Sequence, residues 1–268
     1  MKIIDYPTIM GILNVTEDSF FDGGRYRTDA AVLKRAEQIL SEGAAIIDIG
    51  AVSTRPGAAD VSAEEEWARL QPALQQILRE FPDAVISIDT WRAEVARRSI
   101  ENGAAVINDI SGGTFDAAMP EVVANARVPY VMMHTTAKPA QMQQQTVSGD
   151  LWEAVFQFFD TQLARFRAAG ACDIILDPGF GFGKTLEQNY QLMNQLERFK
   201  MYGLPILVGI SRKSMIYKFL GTNPDGALNG TTVLNTVALL KGADILRVHD
   251  VKEAVEAVKI VNKLKTEN

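Results

Sequence analysis

Apolar residues fall into two alternating arrangements along this chain. Short, almost uninterrupted runs occur at Thr8–Val15, Ala45–Gly50, Val85–Asp89, Val106–Ile110, Tyr130–His134, Ile174–Asp177, Ile206–Ile210 and Ile245–His249. Runs of that length with no polar face predict strands buried on both sides. Between them, apolar positions recur every three to four residues over Ala30–Glu42, Ala63–Glu80, Arg92–Asn102, Met119–Ala126, Leu151–Ala168, Leu186–Phe199, Thr231–Leu240 and Val251–Leu264, which predicts amphipathic helices. Gly43, Gly103, Gly170 and Gly242 each close a helix just before the next strand, as expected of glycine at the left-handed C′ position. Helix-to-strand turns are therefore short. Strand-to-helix connections are longer, notably Asn14–Thr28, Ala51–Ser62, Thr135–Asp150 and Pro178–Thr185.

Eight such units predict an α/β fold with a parallel sheet closed into a (β/α)8 barrel, a TIM barrel, as a single domain over residues 1–268. An open dinucleotide-binding sheet would need Gly-x-Gly-x-x-Gly after the first strand, and "GILNVTEDSF" has one glycine. The glycines of Gly179–Lys184 lack Walker A spacing.

In a barrel, the C-terminal strand ends converge on one face, where active sites sit. Here those ends are polar throughout: Asn14; Asp48, with Ser53, Thr54 and Arg55 beyond it; Asp89; Asn108 and Asp109; His134; Asp177; Ser211, Arg212 and Lys213; Arg247 and His249. Helix capping accounts equally well for Asp89 or Asp250 taken singly. It does not account for eight polar ends together. Asp177 and Asn108 suit the N–H and C=O edges of a flat, nitrogen-rich heterocycle. Arg55, Lys213 and Arg247, with His249 and Ser211, suit phosphate or carboxylate oxygens, and Asn14 offers an oxygen to Mg²⁺. His134 reads equally as a packed strand-end residue, and Arg212 is expected to point away from the site.

Net charge changes the picture by exclusion. At −6 over 268 residues, the chain lacks the broad basic face of a sequence-independent nucleic-acid binder. Any phosphate is held by a few placed cations. Cys172 is the only cysteine and the histidines number two, so neither a disulfide framework nor zinc-ligand spacing is present. No apolar run approaches the roughly 18 residues of a membrane span, and no signal peptide is evident. A cytoplasmic location is expected.

The strand-end segments "MGILNVTEDSFFDGG" (10–24), "STRPGA" (53–58), "SIDT" (87–90), "INDISGG" (107–113), "DPGFGFGKT" (177–185), "GISRKS" (209–214) and "RVHD" (247–250) together resemble the dihydropteroate synthase family, in its order and over almost the whole chain. The resemblance implies a transferase of folate synthesis. It would join 6-hydroxymethyl-7,8-dihydropterin pyrophosphate to p-aminobenzoate by SN1-like loss of pyrophosphate, with Mg²⁺ on the leaving group and no covalent nucleophile. It implies pterin held by Asp89, Asn108, Asp177 and Lys213; pyrophosphate by Arg247, His249 and Thr54; and p-aminobenzoate against Thr54, Arg55, Pro56, Phe182, Ser211 and Lys213. It further implies Mg²⁺ on Asn14, a catalytic set of Asp89, Asp22 and Lys213, and a homodimer. Loops 17–27 and 51–59 would close over the site and exclude water.

The chain departs from the family's usual loops. Glu17 stands for a proline, Phe21 for a serine, and Ala51-Val52 for Gly-Glu, which removes a carboxylate near the p-aminobenzoate side. Two other readings share part of the pattern. A methyltetrahydrofolate-using methyltransferase barrel would not need the Ser-Arg-Lys and Arg-Val-His cations, and a silent pterin sensor would bind without turnover.

Overall fold

The computed structural model describes residues 6–15, 25–52, 61–139, 141–142 and 145–265. Its strands are β1 (Thr8–Asn14), β2 (Ile46–Gly50), β3 (Val85–Asp89), β4 (Val106–Asp109), β5 (Tyr130–Met133), β6 (Ile174–Asp177), β7 (Leu207–Val208) and β8 (Ile245–Val248). The helices are α1 (Arg25–Ser41), α2 (Ala63–Glu80), α3 (Ala93–Glu101), α4 (Met119–Ala126), α5 (Leu151–Ala169), α6 (Leu186–Asn194), α7 (Ser214–Tyr217), α8 (Leu228–Leu240) and α9 (Val251–Lys265).

All strand pairs are parallel, in the order β6-β5-β4-β3-β2-β1-β8-β7. A bridge between Leu176 and Ile206 joins β6 to β7, and Leu176 N–H donates to the Pro205 carbonyl at 2.9 Å. The ring is closed. The predicted TIM barrel is the observed fold.

Inside the ring, Met10, Ile46, Val106, Val131, Ile175, Leu207 and Ile245 form one buried cluster, with Val85 against it. Side chains alternate along a strand, so the next inward positions lie two residues on. Those are Ile12, Asp48, Ser87, Asn108, Met133, Asp177, Gly209 and Arg247, with Asp89 a further step along β3. The barrel is thus dry at its lower layer and polar above it. Outside, α1 packs so closely on β1 that a Cβ on Gly11 would meet Ile39 Cγ2 at 2.5 Å.

Helix starts follow local chemistry. Ser62 and Glu65 form a reciprocal capping box on α2, as do Thr185 and Gln188 on α6. The four predicted C′ glycines all have positive φ, between 94° and 103°.

Four expected boundaries move by more than one residue, the Thr231–Leu240 helix starting early, at Leu228, among them. The first helix starts at Arg25, ahead of Ala30. The last turns of the predicted Leu186–Phe199 helix tighten into a 3₁₀ segment, Leu196–Tyr202. Its three-residue period aligns Leu196, Phe199 and Tyr202, and Phe199 and Tyr202 meet Phe156 and Phe159. β7 is confined to Leu207–Val208, with the Ile206 N–H capped by the Asp244 carboxylate at 2.9 Å.

Candidate active site

Four strands deliver one connected ion cluster to the upper barrel. Arg247 on β8 reaches across to β2, where Nε donates to Asp48 Oδ2 at 2.7 Å and Nη2 makes an ion-pair contact with the same oxygen at 2.6 Å. Nη2 also donates to Asp89 Oδ2 on β3 at 2.7 Å. Asn108 on β4 donates through Nδ2 to the same Asp48 oxygen at 3.0 Å. Asp48 is fully buried. Burial pushes the Asp89 carboxyl up to about 7, with Arg247 opposing and Asp48 adding to the rise. The two carboxylates hold the Arg247 guanidinium firmly in its charged form.

The other half of the mouth is built by the loop after β6. Asp177 accepts from Gly179 N–H at 2.8 Å. Burial raises its pKa, while Lys213 and the Gly179 N–H pull it down. Lys213 donates to the Phe180 carbonyl and sits 4.5 Å above the Phe182 ring centroid, a cation–π contact. Burial lowers it to about 8 against the pull of Asp177, with Arg247 lowering and Asp89 raising it further. The inward register of Asp177 and Arg247, the Arg247–Asp89 bond, and the bond of Lys213 to the loop that follows Asp177 bring these four residues to one barrel mouth.

Beside them, Ser211 Oγ lies 3.1 Å from His249 Nδ1 and accepts from the His249 N–H at 3.1 Å. Burial and the charge on Arg247 lower His249 to about 4, so its ring is neutral near pH 7. Asn14 closes β1, and its Oδ1 and Asp89 Oδ2 lie 3.4 and 3.7 Å from the point a Cβ on Gly50 would occupy. Trp91, Ile110 and Met133 form an apolar patch here, flanked by Val52, Phe115 and Phe182. Val52, one of the unusual loop residues, thus extends the wall that carries Phe182.

Capping explains neither aspartate at issue. The α3 N-terminus is met by Asp116, which accepts from Ala93 N–H at 2.8 Å, and Asp89 is left to Arg247. Asp250 holds Arg212 through two bonds of 2.8 and 2.9 Å, which keeps Arg212 out of the cluster, as expected. Asp109 also leaves the mouth. It accepts from Tyr130 Oη at 2.6 Å and from the N–H groups of Ser111 and Gly113, tying down the loop after β4. His134 is buried against Phe158, the packed role its position allowed. Asp22, Thr54, Arg55 and Pro56, with Glu17 and Phe21 and most of the two loops expected to close, lie outside the described residues.

Two residues without a predicted role stand out. Asp48 is the junction of the ion cluster. Its inward register with Asn108 and Arg247 was the available signal. Lys184 is the other. Its buried ammonium meets His134 Nδ1 at 2.8 Å and donates to the carbonyls of Gly179 and Phe182 at 2.9 and 3.0 Å. Burial lowers it to about 7, with Asp177 opposing and Lys213 assisting. Nothing in its sequence context distinguishes it from a solvated lysine.

The barrel and its mouth have close counterparts. The family described as pterin binding enzyme matches residues 10–249. The dihydropteroate synthase of Escherichia coli (strain K12) is 44% identical over 260 residues, spanning 96% of this chain and 92% of its own. The solved dihydropteroate synthase of Clostridium difficile, determined in the presence of pteroic acid, superposes with a TM-score of 0.92 at 37% identity, over 98% of this chain and 99% of that one. That of Xanthomonas albilineans, with 4-aminobenzoic acid, has a TM-score of 0.90 at 35% identity, over 97% and 94%.

Proposed function

We propose, from the premise that this chain belongs to the dihydropteroate synthase family of pterin-binding enzymes, a division of labour among the residues at its barrel mouth. The reaction is the family's: 6-hydroxymethyl-7,8-dihydropterin pyrophosphate and p-aminobenzoate give 7,8-dihydropteroate and pyrophosphate. The observation that carries the assignment is the convergence of Asp89, Asp177, Lys213 and Arg247 on one space, with Asn108 tied to it through Asp48.

Asp177 and Asn108 accept the ring N–H groups of the pterin, Lys213 donates to its carbonyl side, and Asp89 closes the floor. Arg247, held charged, and His249, a neutral donor fixed by Ser211, take the leaving pyrophosphate. The p-aminobenzoate ring lies against Phe182, near Ser211 and Lys213, with Thr54, Arg55 and Pro56 completing that side.

Hard oxygen donors suit Mg²⁺, and Asn14 Oδ1 with Asp89 Oδ2 flank the space that the missing Cβ of Gly50 leaves open. Asn14 would hold the ion, and bound Mg²⁺ would supply positive charge to the departing pyrophosphate. The carbon–oxygen bond of the pterin methylene breaks with its electron pair leaving on pyrophosphate. The aniline nitrogen then donates its lone pair to the methylene carbon and loses a proton. Asp89, and Asp22 from the first loop, stabilise the intervening cation.

For the assembly, the reading is a homodimer. Val233 and Leu240 on α8 and Ile260 and Leu264 on α9 are all more than half exposed, an apolar band that suits a second copy. No helix among the described residues is long and apolar enough to cross a membrane, in keeping with the cytoplasmic placement we propose.

A coupled pyrophosphate-release assay tests the function. Release is expected to depend on p-aminobenzoate and Mg²⁺, and Lys213→Ala to lower kcat/KM at least about 100-fold. Release that ignores the second substrate would overturn the assignment.

A further inference from the structure

We infer that Asp48, which is no part of the ligand-contacting set, is the positioning residue that makes Asn108 present an oxygen to its ligand and turns the Arg247 fork into register. The inference rests on the pterin reading of the site and deepens it to a recognition code.

An asparagine side chain offers an acceptor on one end and two donors on the other, and only its neighbours decide which end faces a ligand. Here one oxygen decides it. Asp48 Oδ2 already accepts from Arg247 Nε at 2.7 Å, with Nη2 in ion-pair contact at 2.6 Å, so it is an acceptor. The end of Asn108 that meets it at 3.0 Å must therefore be the NH₂. Turning the amide over would set two acceptors face to face in a buried site, at the cost of an unmade hydrogen bond. Asp48 Oδ1 has no hydrogen-bond partner among the described residues, so the residue's bonding rests on Oδ2 alone.

The consequence is directional. With Nδ2 committed, Asn108 shows Oδ1 to the ligand. Asp177 is a carboxyl whose Oδ1 is taken by Gly179 N–H, so the β4 and β6 sides of the floor both read N–H groups. Lys213 on the opposite side only donates. The site is thereby built for a ring whose amino and ring N–H edge faces β4 and β6 and whose carbonyl edge faces Lys213. A ring of the same outline with bare nitrogens toward β4 and β6 is rejected.

The decisive comparison is Asp48→Asn against Asp48→Ala, read as the dissociation constant of 6-hydroxymethyl-7,8-dihydropterin by calorimetry on the full chain. Asp48→Asn loses the charge but keeps an oxygen for Asn108 and Arg247, so affinity is expected to stay within about threefold of the parent. Asp48→Ala removes the oxygen and is expected to weaken binding at least about tenfold. In an Asn108→Ala background, Asp48→Ala should add much less than its single effect, because it acts partly through that residue. Equal losses in Asp48→Asn and Asp48→Ala would mean that charge alone matters and would overturn the inference, as would single losses that simply multiply.

Thermal unfolding of each variant separates misfolding from lost positioning. A measurement on the unaltered protein stands whether or not variants fold or the pterin reading holds. The Asn108 side-chain NH₂, observed by nitrogen-edited NMR without ligand, is expected to exchange slowly with solvent. Fast exchange overturns the inference. Failure of the parent protein to bind the dihydropterin, with that NH₂ protected, would instead sink the pterin reading.

Discussion

Lys213 shows how burial sets both reactivity and cost. Its ammonium is useful only while charged, and the same desolvation that sharpens its contact with a ligand lowers its pKa to about 8. In the free enzyme, the charged form is present below about 8 and lost above it. The kcat/KM profile for the pterin substrate should therefore fall on the alkaline side through about 8, since that ratio reports free-enzyme ionisations. Any activity left in Lys213→Arg should lack this limb, because a guanidinium does not deprotonate in that range. An unchanged limb in the variant would show that another group titrates. Linkage gives a second, opposite reading. The unfolded lysine keeps its proton to about 10.4, so between about 8 and 10.4 the unfolded state binds more protons and this residue's contribution to stability rises with pH. At pH 7 it is a net burden. Lys213→Met is expected to unfold at a temperature equal to or above that of the parent at pH 7 while losing turnover, and a clearly lower midpoint would contradict that sign.

At the scale of an element, the loop after β6 is shaped by what it must hold. Gly179 and Gly183 have φ of +70° and +61°, and a Cβ on either would run into the His134 carbonyl or the Thr136 hydroxyl. Lys184 then fastens the loop through the carbonyls of Gly179 and Phe182 and the ring of His134. That ring is kept neutral by burial and by Lys184 itself, well below the ordinary histidine range, so Nδ1 accepts. The fastening places the Phe182 ring beneath Lys213. Lys184→Met keeps the chain length and removes these donors. It should raise KM for p-aminobenzoate about tenfold or more, measured by steady-state kinetics; an unchanged KM would show that the loop holds its shape unaided. This loop also marks where sequence reading stops. Helix ends were legible because glycine at C′ is a local signal, and the strand-end set was legible because the period of two aligns it. Lys184 was not, because its partners are three backbone carbonyls and the ring of His134, 50 residues away.

For the molecule as a whole, the barrel interior separates stability from function by height. The lower layer of Met10, Ile46, Val106, Val131, Ile175, Leu207 and Ile245 is apolar and buried, and burial of such surface drives folding. The layer above it places Asp48, Asp89, Asn108, Asp177 and Arg247 in the same ring of strands, where desolvating charge works against folding unless every partner is supplied. Strand alternation explains why both layers come from the same short segments, two residues apart. Substitutions at the two heights should therefore fail in opposite ways. Leu207→Ala leaves a cavity in the lower layer and is expected to cost about 2–5 kcal/mol of stability, with KM for both substrates little changed in the folded fraction. Asp177→Ala, one layer up, is expected to raise KM for the pterin substrate at least about tenfold while its thermal midpoint stays near that of the parent, since the residue's raised pKa shows that its charge is held at a cost. Chemical denaturation and steady-state kinetics on the two variants decide the matter. If Leu207→Ala disturbs KM as strongly as Asp177→Ala, the layers are mechanically coupled and the separation by height fails.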